Sequence, residues 1–276
     1  MSTPDALSVR QALAQSGLAP LDARVLLAHV AGKDRAWLIA HAGDALPQQM
    51  IHDFFAAARR RRDGEPVAYL TGSREFRSLV LNVSPDVLIP RPETETLVDA
   101  ALEQWRADEP RRVLDLGTGS GAVALALAHE RGAADVLAVD ASEAALAVAR
   151  ANARRLAIAN VRFVQSDWYG AVGDARFDLI VSNPPYVAAG DPHLGEGDLC
   201  HEPRAALTPG ADGLAALRVI IEAAPRHLVP GGRLWVEHGH DQGAEVRELF
   251  AAQGFEDIVA RRDLAGHLRV AGGRRR

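Results

Sequence analysis

The stretch RVLDLGTGSGA, residues 112–122, joins a short apolar strand pattern to a glycine-rich turn and the beginning of a helix pattern. Gly117, Gly119 and Gly121 let the backbone turn sharply and let a ligand approach where a Cβ atom would clash. The following helix offers unpaired N–H groups at its N-terminus. The pattern is typical of a dinucleotide-binding or a nucleoside-binding loop, and a strand–helix turn without a ligand is the alternative. It is not a P-loop, because no Lys-Ser or Lys-Thr pair follows at the required offset.

Downstream of this loop, short apolar runs alternate with amphipathic helix patterns. The apolar runs cover residues 134–140, 161–167, 177–185 and 232–239, and the helix patterns cover residues 122–132, 142–157 and 212–228. The tail at 254–273 adds two strand patterns with a turn between them, and the final GGRRR is expected to fray. Such alternation predicts a doubly wound α/β fold, in which a mostly parallel, seven-stranded, Rossmann-like sheet is covered on both faces. Ligands of such a sheet bind at the carboxyl ends of its strands.

Upstream of the loop, residues 1–74 are expected to form a small all-α domain. Apolar residues recur at three-to-four spacing in residues 9–18, 21–32, 36–46 and 48–64. The run Arg59–Arg62 is either a solvated helix terminus, favoured by the helix dipole, or a contact to an acidic partner or RNA. Residues 75–90 alternate apolar and polar residues around Ser84-Pro85-Asp86, which predicts a β-hairpin that links the helical domain to residues 91–276.

Composition and charge restrict the class of protein. The chain has 276 residues, of which 48% are hydrophobic and 24% charged, as is ordinary for a globular protein of one or two domains. Its 31 basic and 36 acidic residues give a net charge of −5, which argues against stable nucleic-acid binding through bulk positive charge. We find neither a run of roughly 18 apolar residues nor a signal-peptide pattern, so no membrane association is expected. With Cys200 as its one cysteine, the chain is expected to be a cytoplasmic enzyme without disulfides.

Polar side chains follow the second and third predicted strands. Asp140 ends the second strand, where a carboxylate can accept hydrogen bonds from both hydroxyls of a ribose. Asp167 and Trp168 follow the third strand. A polar group at this edge can bind an adenine amino group, and the ring of Trp168 either stacks on the base or packs at the rim. These side chains fit a nucleoside ligand without identifying the reaction.

The most specific signal is Asn183-Pro184-Pro185-Tyr186, directly after the fourth predicted strand. Consecutive prolines lack N–H groups and have fixed φ angles, so they stiffen the loop and leave carbonyl oxygens free to point into a site. The Asn183 side-chain oxygen and the Pro184 carbonyl can then both accept hydrogen bonds from one planar NH₂ group. The ring of Tyr186 offers a face against which a flat amide or base can lie.

This arrangement suits attack by an amide or exocyclic amino nitrogen, which is a poor nucleophile because its lone pair is delocalised. Two acceptors that hold both hydrogens favour pyramidalisation of the nitrogen and aim its lone pair. When the nitrogen attacks a sulfonium methyl group it gains positive charge, which fixed carbonyl dipoles stabilise more in the transition state than in the ground state. No residue of the motif is basic, so the proton is expected to leave to water after the transfer.

Two other groups of residues are not assigned to the chemistry. His238 and His240 lack a third histidine ligand at suitable spacing, so no metal site is predicted. His238 and Glu237 are expected instead to brace the loop after the fifth strand. Cys200 stands in no pattern typical of a catalytic cysteine.

Together, DLGTGSG, the Asp140 strand end and SNPPY resemble the S-adenosylmethionine-dependent amino methyltransferases, a superfamily that includes DNA adenine methyltransferases. Further stretches resemble the protein-(glutamine-N5) methyltransferases that modify peptide chain release factors. These stretches are EPVAYLTG at 65–72, EF at 75–76, VLIPRPETE at 87–95, EPRAAL at 202–207, DGL at 212–214, EHG at 237–239 and DLAG at 263–266. The resemblance covers nearly the whole chain, and no motif position departs from it.

The resemblance implies methyl transfer from S-adenosyl-L-methionine to the side-chain amide nitrogen, N5, of the glutamine in the Gly-Gly-Gln motif of class I peptide chain release factors. It implies that the cofactor is bound by Gly117, Thr118, Gly119, Ser120, Gly121, Asp140, Asp167, Trp168 and Asn183. It implies that the glutamine amide is held by Asn183, Pro184, Pro185 and Tyr186, of which Asn183, Pro184 and Tyr186 are the catalytic set. The loop Pro90–Glu95 would lie by the site, and the helical domain would contact the release factor.

Three alternatives remain at this point. A nucleic-acid adenine N6-methyltransferase would use the same Asn-Pro-Pro-Tyr loop on a flipped base. The acidic net charge, the helical residues 1–74 and the lack of a target-recognition domain speak against it. A cofactor-binding scaffold without turnover would not require both Asp140 and the loop at 183–186. A dinucleotide oxidoreductase would share only the fold and the glycine loop.

Overall fold

The amino-terminal part of the protein is a set of short helices. The computed structural model describes residues 7–103 and 105–276, and the chain separates into two compact units, Met1–Ser73 and Arg74–Arg276. The helices of the first unit are α1 Val9–Gln15, α2 Pro20–Ala31, α3 Arg35–Ala40, α4 Gln48–Arg62 and α5 Val67–Thr71. A reciprocal capping box between Ser8 and Gln11 begins α1. The apolar faces of the helices meet in a core that includes Leu26, Leu27 and Phe54.

The third helix of this unit is shorter than its sequence pattern predicts. Residues 36–46 were expected to be helical throughout, but α3 ends at Ala40. The following residues pair with the segment before α1 instead, since Leu46 N donates to the Leu7 carbonyl oxygen and Val9 N donates to that of Asp44. These backbone groups are therefore not available to continue the helix.

Two arginines of the run Arg59–Arg62 bond to residues far away in the sequence of the helical unit, and Arg60 bonds to nearby Glu65. The Arg61 Nε donates to Asp22 Oδ2 at 2.8 Å, and the Arg62 guanidinium donates to the Ser16 carbonyl oxygen at 2.5 Å. Both bonds join the end of α4 to residues far earlier in the chain. At least these two side chains therefore brace the helical unit itself.

The predicted β-hairpin is present, but its turn is not where the sequence placed it. Strand β1 is Ser73–Phe76 and strand β2 is Leu79–Asn82. The turn consists of Arg77 and Ser78, with φ of 46° and 63°. Two-residue hairpin turns with positive φ match the twist of the flanking strands, although glycine or asparagine is the usual sequence signal for them. The segment Ser84-Pro85-Asp86 forms a separate turn after β2, so the prediction of the turn there is wrong.

The second unit contains the predicted seven-stranded, mostly parallel sheet. Its strands are β3 Arg112–Leu116, β4 Asp135–Asp140, β5 Val161–Gln165, β6 Phe177–Ser182, β7 Leu228–Glu237, β8 Glu256–Arg262 and β9 Leu268–Arg274. Their order in the sheet is β5-β4-β3-β6-β7-β9-β8. Neighbours from β5 to β7 pair in parallel, and β9 pairs antiparallel with both β7 and β8. The α/β fold class, the helical amino-terminal part and the hairpin are thus confirmed.

Helices cover both faces of this sheet. They are α6 Glu95–Leu102, α7 Ala122–Glu130, α8 Glu143–Arg155, α10 Ala215–His227 and α11 Gly243–Ala252, and the short helix α9 Arg204–Leu207 lies in the segment between β6 and α10. Successive side chains of a strand point to opposite faces, and β3 follows this rule. Val113 packs in the apolar cluster that contains the buried side of α6 and α7, whereas Leu114 packs in the cluster that contains α10 and α11.

The carboxyl-terminal residues are ordered, contrary to the expectation that GGRRR frays. Strand β9 continues through Gly272 and Gly273 to Arg274. A Cβ atom at Gly272 would lie 2.2 Å from the ring of Trp235 on the neighbouring strand. Glycine is therefore needed here because the Trp235 ring lies directly on the β9 backbone.

The sheet reverses its strand order between β3 and β6. From β3 the chain builds outward through β4 to β5, and it then returns to place β6 on the other side of β3. Open sheets of this kind bind ligands in the crevice outside the carboxyl ends of the strands at such a reversal. Within the described ranges, 7–103 and 105–276, we find no helix long and apolar enough to span a lipid bilayer.

Candidate active site

A cavity of about 310 Å³ opens at the carboxyl ends of β3, β4, β5 and β6. This volume lies at the lower end of the range for small-molecule sites. Of the residues that the sequence assigned to the site, the cavity is lined by Gly117, Thr118, Gly119, Ser120, Asp140, Asp167, Trp168, Asn183 and Pro185. Gly121, Pro184 and Tyr186 are not among the lining residues. The predicted ligand loops are thus brought to one edge of the sheet, as parallel strand ends require.

The glycine loop needs glycine for two different reasons. Gly117, Gly119 and Gly121 all have positive φ, of 73°, 55° and 85°. At Gly119 a Cβ atom would meet nothing within 4 Å, so the constraint there is the backbone conformation. At Gly121 a Cβ atom would also lie 3.0 Å from Leu125. Glycine at position 121 is therefore needed for close packing against α7. The cavity itself is lined by the preceding four residues, 117–120.

Asp140 joins the glycine loop to the beginning of α8. Its Oδ2 accepts a hydrogen bond from Gly119 N, and its Oδ1 accepts one from Ser142 N, both at 2.9 Å. The side chain is half-buried and lines the cavity. A carboxylate oxygen has two acceptor positions, so each oxygen can still accept a hydrogen bond from a ligand hydroxyl.

Trp168 both packs against the core and lines the cavity, so the two alternatives for this residue are compatible. It stands in a left-handed conformation, with φ of 46°. Its ring lies 3.5 Å from the position that a Cβ atom on Gly117 would take. The Ser166 hydroxyl holds this turn, since it donates to the Trp168 carbonyl oxygen at 2.7 Å and accepts from Ala171 N at 2.9 Å. The ring thus closes over the glycine loop.

Asp115 also lines the cavity, and the sequence reasoning assigned it no role. Its side chain is 1% exposed, and its Oδ2 accepts from the Thr118 hydroxyl at 2.7 Å. Burial raises the pKa of Asp115 to about 7, and the Thr118 hydrogen bond opposes that rise. The signal that would have indicated this residue is an acid inside an otherwise apolar strand, RVLDL, directly before the glycine loop.

Asn183 is oriented by a residue of the Pro90–Glu95 loop. Its side-chain Nδ2 donates to the Thr94 hydroxyl oxygen at 3.1 Å. Pro90, Arg91 and Thr94 line the cavity, so this loop does lie beside it. The amino end of the Asn183 carboxamide is therefore engaged by the protein, which leaves its oxygen end for a ligand.

Tyr186 is anchored on the side away from the glycine loop. Its hydroxyl donates to Glu237 Oε1 at 3.1 Å, and its carbonyl oxygen accepts from Gln242 Nε2 at 2.9 Å. A Cβ atom at Gly213 would lie 2.3 Å from that same carbonyl oxygen. Glu237 was expected to brace the loop after its own strand, β7, but its hydrogen bond instead holds the 183–186 loop.

His238, His240 and Cys200, which the sequence did not assign to the chemistry, each make a contact within the protein. His238 is buried, and its Nδ1 donates to the Gly239 carbonyl oxygen at 2.7 Å. His240 lies edge-on to the ring of His267. Cys200 is exposed, and its Sγ donates to the Gly197 carbonyl oxygen. In the part of the chain that the structure describes, no three His, Cys, Asp or Glu side chains form a group that could hold a metal ion.

Comparison with known proteins identifies both parts of the chain. Residues 94–213 match the model of the methyltransferase small domain, and residues 8–72 match that of the PrmC N-terminal domain. A solved structure of a 16S rRNA N2 G1207 methyltransferase from T. thermophilus, in complex with AdoMet and guanosine, has a TM-score of 0.55 at 22% identity. The similarity covers 74% of this chain and 50% of that one, and it shows a shared fold.

Two curated relatives match nearly end to end. A release factor glutamine methyltransferase of Burkholderia pseudomallei is 50% identical over 98% of this chain and 97% of its own length. A protein of the same description from Bordetella pertussis is 51% identical over 96% of this chain and 98% of its own length. With identity this high over both domains, the chain belongs to the release factor glutamine methyltransferase family.

Proposed function

We propose that this protein transfers the methyl group of S-adenosyl-L-methionine to the side-chain amide nitrogen, N5, of the glutamine in the Gly-Gly-Gln motif of class I peptide chain release factors. One observation carries the proposal: Asn183 and Pro185 of the Asn-Pro-Pro-Tyr loop line a cavity of about 310 Å³ at the strand-order reversal of the sheet. The family to which the chain belongs supports the same activity. It favours a protein substrate over the nucleic-acid alternative.

The residues that line the cavity fit the parts of S-adenosylmethionine. The bound cofactor supplies an electrophilic methyl group on a sulfonium centre. Asp140 would accept hydrogen bonds from the ribose hydroxyls, and the Trp168 ring would lie against the adenine, with Asp167 beside it. The buried carboxyl of Asp115, when ionised, would face the ammonium group of the methionine part, because a negative charge in the cavity wall attracts a cation.

The loop at 183–186 would hold the glutamine amide. The Asn183 side-chain oxygen and the Pro184 carbonyl accept one hydrogen each from the amide NH₂, and Tyr186 supports the loop from behind through Glu237. These two oxygens would stabilise the positive charge that the amide nitrogen gains when its bond to the methyl carbon replaces the methyl–sulfur bond. The extra proton leaves to water. Alignment of the nitrogen with the methyl carbon supplies much of the remaining acceleration.

The helical unit would bind the body of the release factor. Its match to a PrmC N-terminal domain supports a role specific to this family of enzymes. Since the proposed substrate is a translation factor, we place the reaction in the cytoplasm. Neither nucleic acid nor a membrane has a part in the proposed reaction.

The experiment that tests this proposal is methylation of purified release factor with labelled S-adenosylmethionine, followed by mass spectrometry of the Gly-Gly-Gln peptide. We expect one methyl group on the glutamine. Asn183→Ala should lower turnover by on the order of a hundredfold or more, while thermal unfolding stays close to wild type, because one of the two acceptors is lost. Label on DNA or RNA but not on release factor would contradict the proposal, and so would near-normal turnover of the variant.

A further inference from the structure

The carboxamide of Asn183 has two ends with opposite hydrogen-bonding character. Its oxygen accepts and its NH₂ group donates, so only the oxygen can bind the NH₂ group of a substrate amide. If the Asn183 carboxamide were rotated by half a turn, its NH₂ group would face the NH₂ group of the substrate amide. Two hydrogen-bond donors would then face each other and repel. Catalysis at this loop therefore depends on which way the Asn183 side chain is turned.

The Thr94 hydroxyl holds one end of this carboxamide. Asn183 Nδ2 lies 3.1 Å from Thr94 Oγ1, and the Thr94 side chain is buried at the cavity wall, with the residue 4% exposed. A hydroxyl can accept and donate at once. When Thr94 accepts from Asn183, its own hydrogen needs an acceptor elsewhere, because a buried donor without a partner is costly.

Glu237 is a buried acceptor that interacts with the Thr94 side chain. Its carboxyl group is buried at the end of β7, where Oε1 accepts from the Tyr186 hydroxyl at 3.1 Å. The second oxygen, Oε2, is buried and holds no hydrogen bond of standard geometry among the residues that the structure describes. It is therefore open to the Thr94 hydroxyl hydrogen. Burial raises the pKa of Glu237, and hydrogen bonding by Thr94 and Tyr186 opposes that rise.

The charges that face Glu237 come from two other elements. Arg269 on β9 lowers the pKa of the Glu237 carboxyl, and Glu93 in the turn before α6 raises it. Above its pKa of about 7 Glu237 is ionised and can only accept, so there the hydroxyl hydrogens of Thr94 and Tyr186 would be directed toward it. The Thr94 oxygen is then left to accept from Asn183.

We propose that Thr94 and Glu237 are positioning residues that fix the orientation of the Asn183 carboxamide, so that its oxygen faces the substrate nitrogen. The direction of hydrogen bonding runs from Asn183 to Thr94 and from Thr94 to Glu237. This inference rests on the proposed function, because it assumes that Asn183 accepts from an amide or amino group. Neither residue touches the reacting atoms.

The test compares Thr94→Val, which has the same shape without a hydroxyl, with Thr94→Ser, which restores the hydroxyl. We expect T94V to lower kcat for methyl transfer to release factor on the order of tenfold to a hundredfold, as loss of an orienting partner does at other sites. The KM for release factor and thermal unfolding should change little. T94S should recover most of the rate. Thr96→Val, two residues along the chain on α6, is the matched control for loss of a hydroxyl.

A double-mutant cycle separates positioning from general support of the fold. If Thr94 acts only through Asn183, T94V should add almost nothing to the loss already caused by N183A. Additive losses would overturn the inference, and so would a T94S variant as slow as T94V. Glu237→Gln, which can donate as well as accept, should lower kcat in the same way.

A measurement without turnover keeps this inference separate from the proposed activity. The side-chain ¹⁵N resonance of Asn183, assigned by its disappearance in N183A, is followed by NMR. Loss of the hydrogen bond in T94V should shift it, whereas T94S and T96V should leave it in place. An unshifted resonance in T94V would overturn the inference even if release factor is methylated. A shifted one would support it even if the substrate proves to be another amino group.

Discussion

The Arg91 guanidinium lies 2.6 Å from a carboxylate oxygen of Glu202, although the two residues stand 111 positions apart in the chain. The Glu202 side chain is fully buried, and that of Arg91 is 29% exposed. Arg91 lines the cavity, and so do Pro203, Ala205 and Ala206, which lie within four residues after Glu202. The Arg91–Glu202 ion pair therefore links two segments that form the cavity wall.

Removal of the Arg91 side chain should lower the stability of the protein. Arg91→Ala leaves a buried carboxylate without its partner, so we expect a loss of about 1–3 kcal/mol in unfolding free energy, at the lower end of buried pairs because Arg91 is partly exposed. Burial raises the pKa of Glu202, so the loss should be smaller toward acid pH, where the carboxyl takes up a proton more readily than in the unfolded chain. Urea denaturation at pH 5 and pH 8 measures both effects. Arg106→Ala, which removes an exposed pair with Asp108, is the control and should change little; an equal effect would contradict the buried pair's role.

Asp115 should make stability depend on pH near neutrality. Burial raises its pKa to about 7 from the ordinary value of 3.8 for an aspartate, so the folded protein holds a proton that the unfolded chain releases above about pH 4. The contribution of this group to the unfolding free energy is present in acid and is lost as the pH rises to about 7. The loss between these limits is at most on the order of 4 kcal/mol.

Asp115→Asn keeps an acceptor for Thr118 and removes the titration. Between pH 5 and pH 8, the unfolding free energy of the wild type should therefore fall relative to that of the variant. Asp108→Asn, at an exposed site, should run parallel to wild type. Parallel curves for Asp115→Asn would show that this carboxyl is not the group that titrates.

Asp140 should determine affinity for the cofactor. Asp140→Ala removes the acceptor for ribose hydroxyls and also the bonds to Gly119 N and Ser142 N, so we expect the dissociation constant of S-adenosylmethionine to rise by about tenfold or more. Isothermal titration calorimetry measures it. Asp135→Ala, an acid at the far end of the same strand, should bind normally. An unchanged dissociation constant for Asp140→Ala would rule out the ribose assignment.

Gly213 should matter because of the space that it leaves for the 183–186 loop. Its φ is +77°, and a Cβ atom there would lie 2.3 Å from the Tyr186 carbonyl oxygen. Gly213→Ala must displace that loop, so we expect turnover to fall at least about tenfold and unfolding free energy to fall by roughly 1–3 kcal/mol.

The control for this variant is Gly210→Ala. Gly210 also has positive φ, of +100°, but a Cβ atom there would meet nothing within 4 Å. It should lose only the roughly 1–2 kcal/mol of a strained backbone and retain turnover. Thermal unfolding and methyl transfer are measured for both variants. Equal turnover in the two would show that the close approach to Tyr186 is not what positions the loop.

The sequence by itself determined the fold class and most of the cavity wall. Alternating strand and helix patterns produce a parallel sheet, and a parallel sheet brings all of its strand ends to one edge. The positions of Asp140, Trp168 and Asn183 after successive strands therefore predicted that these residues meet. Backbone periodicity is local information, and a single sequence contains it.

Only the tertiary structure decided how these residues are held. Thr94 reaches Asn183 across 89 positions and Tyr186 reaches Glu237 across 51, and no local pattern encodes such pairs. The hairpin turn at Arg77 and Ser78 lacks the usual glycine or asparagine. Its positive φ angles therefore follow from the pairing of the two strands and not from the preferences of the turn residues. The terminal strand at Gly272 depends on the ring of a distant tryptophan. Local preferences set the elements, whereas side-chain orientation in the site follows from contacts that exist only after the elements have packed.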